Sequence, residues 1–380
     1  MGMERELKMP RVSVVLPVRN GMAHLPLAVE SILGQTFRDF EFIIVDDAST
    51  DDTAAYLDGL LDARVRVIRN EQSVGVARSL NKAIATARGE YIARQDADDV
   101  SLPERLEAQA SYLDCHPQIA VLGSPATIIN GDGDAIGAWH VPFADIDIQW
   151  RLLFDNCIIH PSVMIRGSVL RACGGYPEEA EFSLAEDYEL WFRIGRGHGF
   201  ANLQQRLINF RIHRGSVSNR DRDRQRQQVR RIVLANVACM MDGCSVREQD
   251  YESVGLLLFS PPSFKPHLSA AALWSAVRFL RKLQYGFYAR HRFASRAAMA
   301  HRTRLQWTWG KHLVALAIRA RFDFRTRITA ALLGVRLLWD SFAACLHWLV
   351  TRQPQPAASG ELLATVSSNA TTSDAHKAPC

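Results

Sequence analysis

The chain has 380 residues, 48% of them apolar and 22% charged, with a formal net charge of +5. These values exclude wholesale disorder, a collagen repeat and a coiled coil, and the length suits two domains or one large α/β domain with extensions. Seven cysteines, odd in number and with no C-x-x-C pair, argue against a disulfide framework or zinc cluster and fit a reducing compartment better. The first ten residues are polar and of mixed charge, so no secretory signal is expected. Val12–Leu16 is a strand-type run, after which Leu25, Val29, Ile32 and Leu33 recur at helical spacing. Phe42–Val45 and Val65–Ile68 are further strand runs. Val74, Ala77, Leu80 and Ile84 mark another helix, and Tyr91-Ile92 opens a further strand. Strands alternating with helices predict βαβ units in a mostly parallel sheet, which binds ligands beyond the C-terminal ends of its strands. Asn130-Gly131-Asp132-Gly133 predicts a hairpin turn, residues 225–350 read as helical, and 353–380 read as a flexible polar tail.

Those strand ends carry acid. Asp46-Asp47 closes the second strand, ahead of Ser49-Thr50-Asp51. Ser49 and Thr50 read as a helix cap with Asp51 in the first turn, which leaves two carboxylates before the cap unexplained. At a strand end they can accept hydrogen bonds from a base or a ribose hydroxyl. Asp96, Asp98 and Asp99 follow the fourth strand. They form either a solvated turn, leading into a helix whose start is marked by Ser101 and Pro103, or a site for a hard cation, Mg²⁺ or Mn²⁺. Glu186-Asp187 precedes the apolar Leu190-Trp191-Phe192. Acids are ordinary at a helix N-terminus, yet one of these could deprotonate an acceptor hydroxyl. His213 is either a packed or surface histidine or an imidazole ligand, which suits Mn²⁺ better than Ca²⁺.

Taken in order, the strings VSVVLPVRN (12–20), FEFIIVDDAST (40–50), YIARQDADD (91–99), HPSVMIR (160–166), AEDYELWFRI (185–194) and FRIHRGSVS (210–218) make residues 10–220 resemble inverting glycosyltransferases of family 2, of the bacterial surface-polysaccharide type. The resemblance implies a GT-A fold, a Rossmann-like nucleotide-binding mixed sheet flanked by helices. It implies a nucleotide-sugar donor, expected to be a UDP-sugar, and a glycan or lipid-linked acceptor. Pro17 and Asn20 would line the base pocket, Asp47 with Asp46 would hold base or ribose, and Arg78 would contact the nucleotide. Asp96-Ala97-Asp98 resembles the D-x-D motif, with Asp96 toward ribose and Asp98 on Mn²⁺ or Mg²⁺, and Asp99 beside them. Asp187, next to Glu186, resembles the general base, and His213 the histidine that approaches metal and diphosphate. His160 opens a family-like motif without an assigned role. Gln95 departs from the apolar residue usual before the D-x-D, and Ser79-Leu80-Asn81 departs from the pairing usual near Arg78. Gln227 and Arg230 are followed by Arg231 rather than the tryptophan of processive relatives, which implies transfer of a single sugar.

The positive charge is local. Residues 265–327 hold fourteen Lys and Arg against one acid, Asp323, a segment charge of +13, while the remaining 317 residues sum to −8. Interleaved Trp274, Tyr285, Phe287, Tyr288, Trp307 and Trp309 suit either stacked nucleic-acid bases or an interfacial helix on an anionic membrane. Residues 328–350 are long enough to span a bilayer, but Arg336, Asp340 and His347 interrupt them and favour an interfacial or buried helix. The expected organisation is a glycosyltransferase domain over 10–225, a basic helical extension over 226–352 and a tail over 353–380. The protein is expected in the cytoplasm, peripheral at the cytoplasmic face of the membrane, with no nucleic-acid partner. The alternatives are a sugar nucleotidyltransferase, for which Pro17-Val18-Arg19-Asn20 supplies no glycine-rich basic loop, and a nucleic-acid-binding module carried by 265–327.

Overall fold

A computed structural model of the chain describes residues 9–213, 221–241, 246, 269–291, 293, 295–319 and 324–350. β1 (Val12–Val18) and β2 (Phe40–Asp46) are buried along their whole length, as continuous β-branched and aromatic runs must be when helices cover both faces of a sheet. With β3 (Val65–Arg69), β4 (Tyr91–Arg94), β6 (Ile119–Gly123), β9 (Met164–Arg166) and β10 (Gly199–Asn202) they form a seven-stranded sheet of order β10-β6-β9-β4-β1-β2-β3. β1 runs parallel to β2 and β4, whereas β9 is antiparallel to both its neighbours. Side chains alternate between two cores. Val12, Val14 and Leu16 face α1 (Leu25–Leu33) and α4 (Arg105–Cys115), while Val15, Ile43 and Val45 face α3 (Val76–Thr86). α2 (Thr53–Asp58) lies between β2 and β3 in the chain.

A second sheet, of order β5-β11-β7-β8, joins β5 (Val100–Ser101), β7 (Ala126–Ile129), β8 (Ala135–Trp139) and β11 (Ile208–Arg211). The expected turn closes the β7–β8 hairpin. Asn130 Oδ1 accepts from the backbone N–H groups of Asp132 and Asp134, and Gly133 has φ +98°. Two cap assignments are corrected. α2 begins at Thr53, because Ser49 Oγ accepts from Asn20 N–H and Thr50 N–H donates to Asn20 Oδ1, so these residues tie two strand-end loops together. Asp51 lies before the helix and accepts from the Thr53 N–H at 3.1 Å. Ser101 and Pro103 likewise do not start α4, which begins at Arg105. Ser101 is a buried residue of β5 opposite Ile208.

α5 (Asp145–Arg151), α6 (Gly167–Ala172) and α7 (Glu186–Gly195) pack with α8 (Arg222–Met240), α9 (Ala270–Arg290), α10 (Ser295–Arg319) and α11 (Phe324–Val350) into one continuous core. Trp150 of α5 sits edge-on to Phe287 of α9, with ring centroids 5.2 Å apart, and 5.9 Å from Trp309 of α10. α10 and α11 cross at Gly310 and Gly334, where a Cβ on Gly310 would lie 2.8 Å from the Gly334 carbonyl oxygen. The helical expectation for 225–350 therefore holds for most of the described residues, as four helices of which the first begins three residues early, with Met241, Val246, Ser269, His291 and Phe293 outside them. The 353–380 tail, like Ser216, lies outside them. Among the described residues no helix is long and apolar enough to cross a membrane.

Candidate active site

The loop after β4 brings one carboxylate oxygen each of Asp96, Asp98 and Asp99 within 4.8 Å of one another. Its shape comes from Gln95, which is fully buried. The Gln95 amide donates to the carbonyls of Asp96 (3.0 Å) and Asp99 (2.9 Å), and its Oε1 accepts from Ser101 Oγ and Arg105. An apolar residue at this position could not hold those carbonyls. Asp99 Oδ1 accepts the backbone N–H of Arg211 at 2.7 Å, while its buried Oδ2 has no hydrogen-bond partner among the described residues. Burial, reinforced by Asp96 and Asp98, pushes the Asp99 carboxyl well above its usual range. Asp96 pairs with Arg94, a buried cation at the end of β4. Asp98 Oδ2 lies 3.0 Å from His213 Nε2, and the His213 ring lies 5.1 Å from that of His24, just before α1.

A second acidic pair opens α7. Asp187 Oδ2 accepts from Asn156 Nδ2 at 2.8 Å and its Oδ1 from the Tyr188 N–H at 2.7 Å. The Tyr188 hydroxyl anchors the helix by donating to the Leu152 carbonyl. Burial raises the Asp187 pKa against these hydrogen bonds. Glu186 is pushed up to about 8, by burial first and then by the charge of Asp187. His160 Nε2 lies 2.8 Å from the Tyr176 hydroxyl and edge-on to Trp191, and burial holds its pKa well below the usual value. Asp96, Asp98, His160, Glu186 and Asp187 line one cleft of about 460 Å³, with Trp139 and Phe210 forming an aromatic wall.

The Glu186 shift has a consequence for stability. Its folded pKa lies above its unfolded value, so the folded state resists deprotonation, and stability falls as pH rises from about 4.5 toward about 8. Glu186→Gln removes that loss. Thermal unfolding at a series of pH values should show the variant gaining on the native protein between those limits and no growing advantage below them.

Pro17, Asn20, Asp46 and Asp47 lie at the ends of β1 and β2, Arg78 lies on α3, and none of the five lines this cleft. Pro17 is buried within β1. Asn20 and Ala48 both have positive φ, 53° and 55°, a strained conformation for residues with a Cβ, and they sit in adjoining strand-end loops. Asp46 accepts from the Ser49 N–H at 3.0 Å. Asp47 is almost wholly engaged with its own chain. It accepts from Asn70, Ser73 and the N–H groups of Val74 and Gly75, all at 2.8–3.0 Å, and these bonds outweigh burial to pull its pKa below the usual range. Asp47→Ala should therefore release the 70–75 loop and cost about 3 kcal/mol of stability in urea unfolding. Arg78 points to Glu178, 3.3 Å away, on the outer side of α3.

Arg94, Gln95, Asn156 and Tyr176 have site positions that the sequence reading did not assign. Arg94 did leave a signal, as a lone cation ending an otherwise apolar strand two residues before an acid. Gln95 was visible as a departure. Asn156 and Tyr176 left none, because their partners are remote in sequence.

A mixed sheet in this order, with one acidic loop at a central strand end and a second acidic pair across the same cleft, agrees with the GT-A glycosyltransferase fold that the motifs imply. The family model described as "Glycosyl transferase family 2" matches residues 13–173. The O-antigen biosynthesis glycosyltransferase WbnJ of Escherichia coli is 33% identical over 217 residues, covering 54% of this chain and 81% of that protein. The chain belongs to glycosyltransferase family 2 and is a glycosyltransferase. The Escherichia coli UDP-Glc:alpha-D-GlcNAc-diphosphoundecaprenol beta-1,3-glucosyltransferase WfgD is 27% identical, covering 57% of this chain and 83% of its own. The fold matches the crystal structure of S. aureus TarS 1-349 in complex with UDP-GlcNAc, with a TM-score of 0.52 at 17% identity over 87% of this chain and 92% of that one.

Proposed function

We propose that the protein transfers one sugar from a nucleotide-sugar donor, a UDP-sugar, to a hydroxyl of a glycan or lipid-linked acceptor in surface-polysaccharide synthesis, with inversion at the anomeric carbon. The observation that carries this reading is the cleft shared by the Asp96–Asp98–Asp99 loop and the Glu186–Asp187 pair. The names of the relatives support the pathway and the acceptor class: one acts in O-antigen biosynthesis, and the name of another specifies UDP-glucose and a diphosphoundecaprenol acceptor.

The residues fit a divalent cation, Mn²⁺ or Mg²⁺. Three clustered carboxylates, one with a buried oxygen lacking a partner among the described residues, and an imidazole against Asp98 make an oxygen-rich donor set. Asp98 and His213 would hold the ion, with Asp99 behind them. When bound, the ion supplies charge stabilisation for a departing diphosphate. Asp96, tied to Arg94, would face the ribose. Pro17, Asn20, Asp46 and Asp47 would shape the nucleotide end, Asp47 by holding the 70–75 loop. Arg78 would reach the nucleotide only by leaving Glu178.

Asp187 takes the proton from the acceptor hydroxyl as its oxygen attacks the anomeric carbon. The bond to the diphosphate breaks on the opposite face, which inverts the configuration. Asn156 holds Asp187 by its Oδ2 and leaves one carboxylate face for the acceptor. Residues 10–225 would form the catalytic domain, 226–352 a basic extension that shares its core, and 353–380 a tail. The extension would keep the enzyme at the cytoplasmic face of an anionic membrane, where a lipid-linked acceptor lies. Calorimetry of the full chain against a panel of nucleotide sugars with Mn²⁺ tests the reading. One donor should bind in a metal-dependent manner, and binding by none would reject it.

A further inference from the structure

α11 carries apolar side chains on two opposite sides. Its inner side, Ala330, Leu333 and Leu337, is buried in the main core. On its outer side Ile328, Leu332 and Val335 are 44%, 63% and 58% exposed, and Trp339, one turn further on, is 67% exposed. Their intervals of four, three and four residues place them in a single stripe along the helix. Exposed Arg325 and Arg336, eleven residues apart, share one edge of that stripe. Isolated apolar side chains on a surface are ordinary, but a continuous row of large ones bordered by arginines is not.

Beside this edge lies a groove of about 360 Å³ between α9 and α11. Its floor is Val277, Leu333 and Leu337, and its rim is Trp274 with Arg278 and Arg336. Arg281 also lines it but is bridged to Asp340 at 2.5 Å. Arg278 and Arg336 are exposed, and neither meets an acid among the described residues. Trp274 is half-exposed at the same rim. An apolar stripe, two outward cations and a rim tryptophan are the components of a helix that lies in a bilayer interface.

We propose that this face of α11, with the Arg278–Arg336 groove, is the docking surface for an anionic phospholipid bilayer. Leu332 and Val335 enter the acyl boundary, and the groove receives the phosphate of a lipid headgroup. The inference rests on the peripheral-membrane reading above and assigns it a surface. Charge complementarity identifies the occupant: the +13 segment 265–327, which holds Arg278, leads directly into the apolar row with its own outward Arg336, and this combination matches an anionic surface with an apolar interior. Because α9, α10 and α11 share a core with Trp150, deleting them would disturb the whole protein, so point substitutions on the exposed face are the sound test.

The full chain and two double variants, Leu332→Ser with Val335→Ser and Arg278→Gln with Arg336→Gln, are sedimented with vesicles of phosphatidylcholine alone or with phosphatidylglycerol added. The native chain should bind the anionic vesicles, more weakly at high salt. The arginine pair should lose about fivefold per residue, and the stripe pair about tenfold or more. Thermal unfolding and nucleotide-sugar binding should be unchanged in both, since these side chains are exposed and outside the catalytic cleft. If the native chain binds and both variants bind equally well, another surface docks: this inference fails and the membrane reading stands. If the native chain binds neither vesicle, the membrane reading fails and the inference with it. Equal binding to neutral vesicles overturns the headgroup role. A soluble dimer that the stripe variant disperses, without vesicle binding, makes this face a self-association surface and overturns the proposal.

Discussion

Asp187→Asn is expected to lower kcat by about 10²- to 10⁴-fold while leaving donor affinity nearly unchanged. The amide keeps the volume of the carboxylate and its single oxygen can still accept from either Asn156 or the Tyr188 N–H, so one of the two hydrogen bonds is lost while the Tyr188 hydroxyl still anchors the α7 start. It cannot take a proton. The loss therefore falls on the step in which the acceptor hydroxyl attacks. Single-turnover transfer with calorimetric donor binding separates the two quantities, and turnover near the native rate would remove Asp187 from the mechanism. A pH profile adds a second readout. Burial raises the Asp187 pKa, so kcat/KM should rise with pH along a limb above the ordinary carboxylate range. The Asn156 hydrogen bond favours the charged form. Asn156→Ala should therefore shift that limb to higher pH.

Asp98→Asn should weaken Mn²⁺-dependent binding of a nucleoside diphosphate by about 100-fold or more. Asp98 is half-buried and meets His213, so the substitution changes the charge of the cluster without opening a cavity. Calorimetry with and without Mn²⁺ checks it: the metal-dependent increment should vanish, while thermal stability changes little. An unchanged increment would assign the ion to other residues. His213→Ala should reduce the same increment to a smaller extent, because it removes one neutral donor and leaves the carboxylates in place.

The strand ends were legible in the sequence because a buried parallel strand needs an unbroken apolar run, and polar residues that follow such a run stand where ligands bind. Asp46-Asp47 and Asp96–Asp99 were found on that ground, Glu186-Asp187 as an acidic pair ahead of an apolar helical run, and the order of the family motifs added His160 and His213. The cap assignments failed for a physical reason. Ser49, Thr50 and Ser101 have the local chemistry of caps, but other partners take the same hydrogen bonds and prevail: Asn20 from a remote loop for Ser49 and Thr50, and the nearby side chains of Gln95 and Arg105 for Ser101.

By itself the sequence determined the alternating architecture, the acidic strand ends and the local excess of positive charge, since each depends on the period or composition of a short stretch. Only the tertiary structure decided how those pieces meet. His213 reaches Asp98 across 115 residues because β11 pairs with β5 just beyond the acidic loop. Asn156 meets Asp187 across 31 residues, Asp47 is taken up by the 70–75 loop, and Arg78 turns to Glu178. The two-sided apolarity of α11 is likewise a tertiary fact. A helical period can mark which side chains share a face, but which face the core covers depends on where Gly310 and Gly334 let α10 and α11 cross. Hydrogen bonds and packing between remote segments leave no period in the sequence, so they become visible only when the chain has closed on itself.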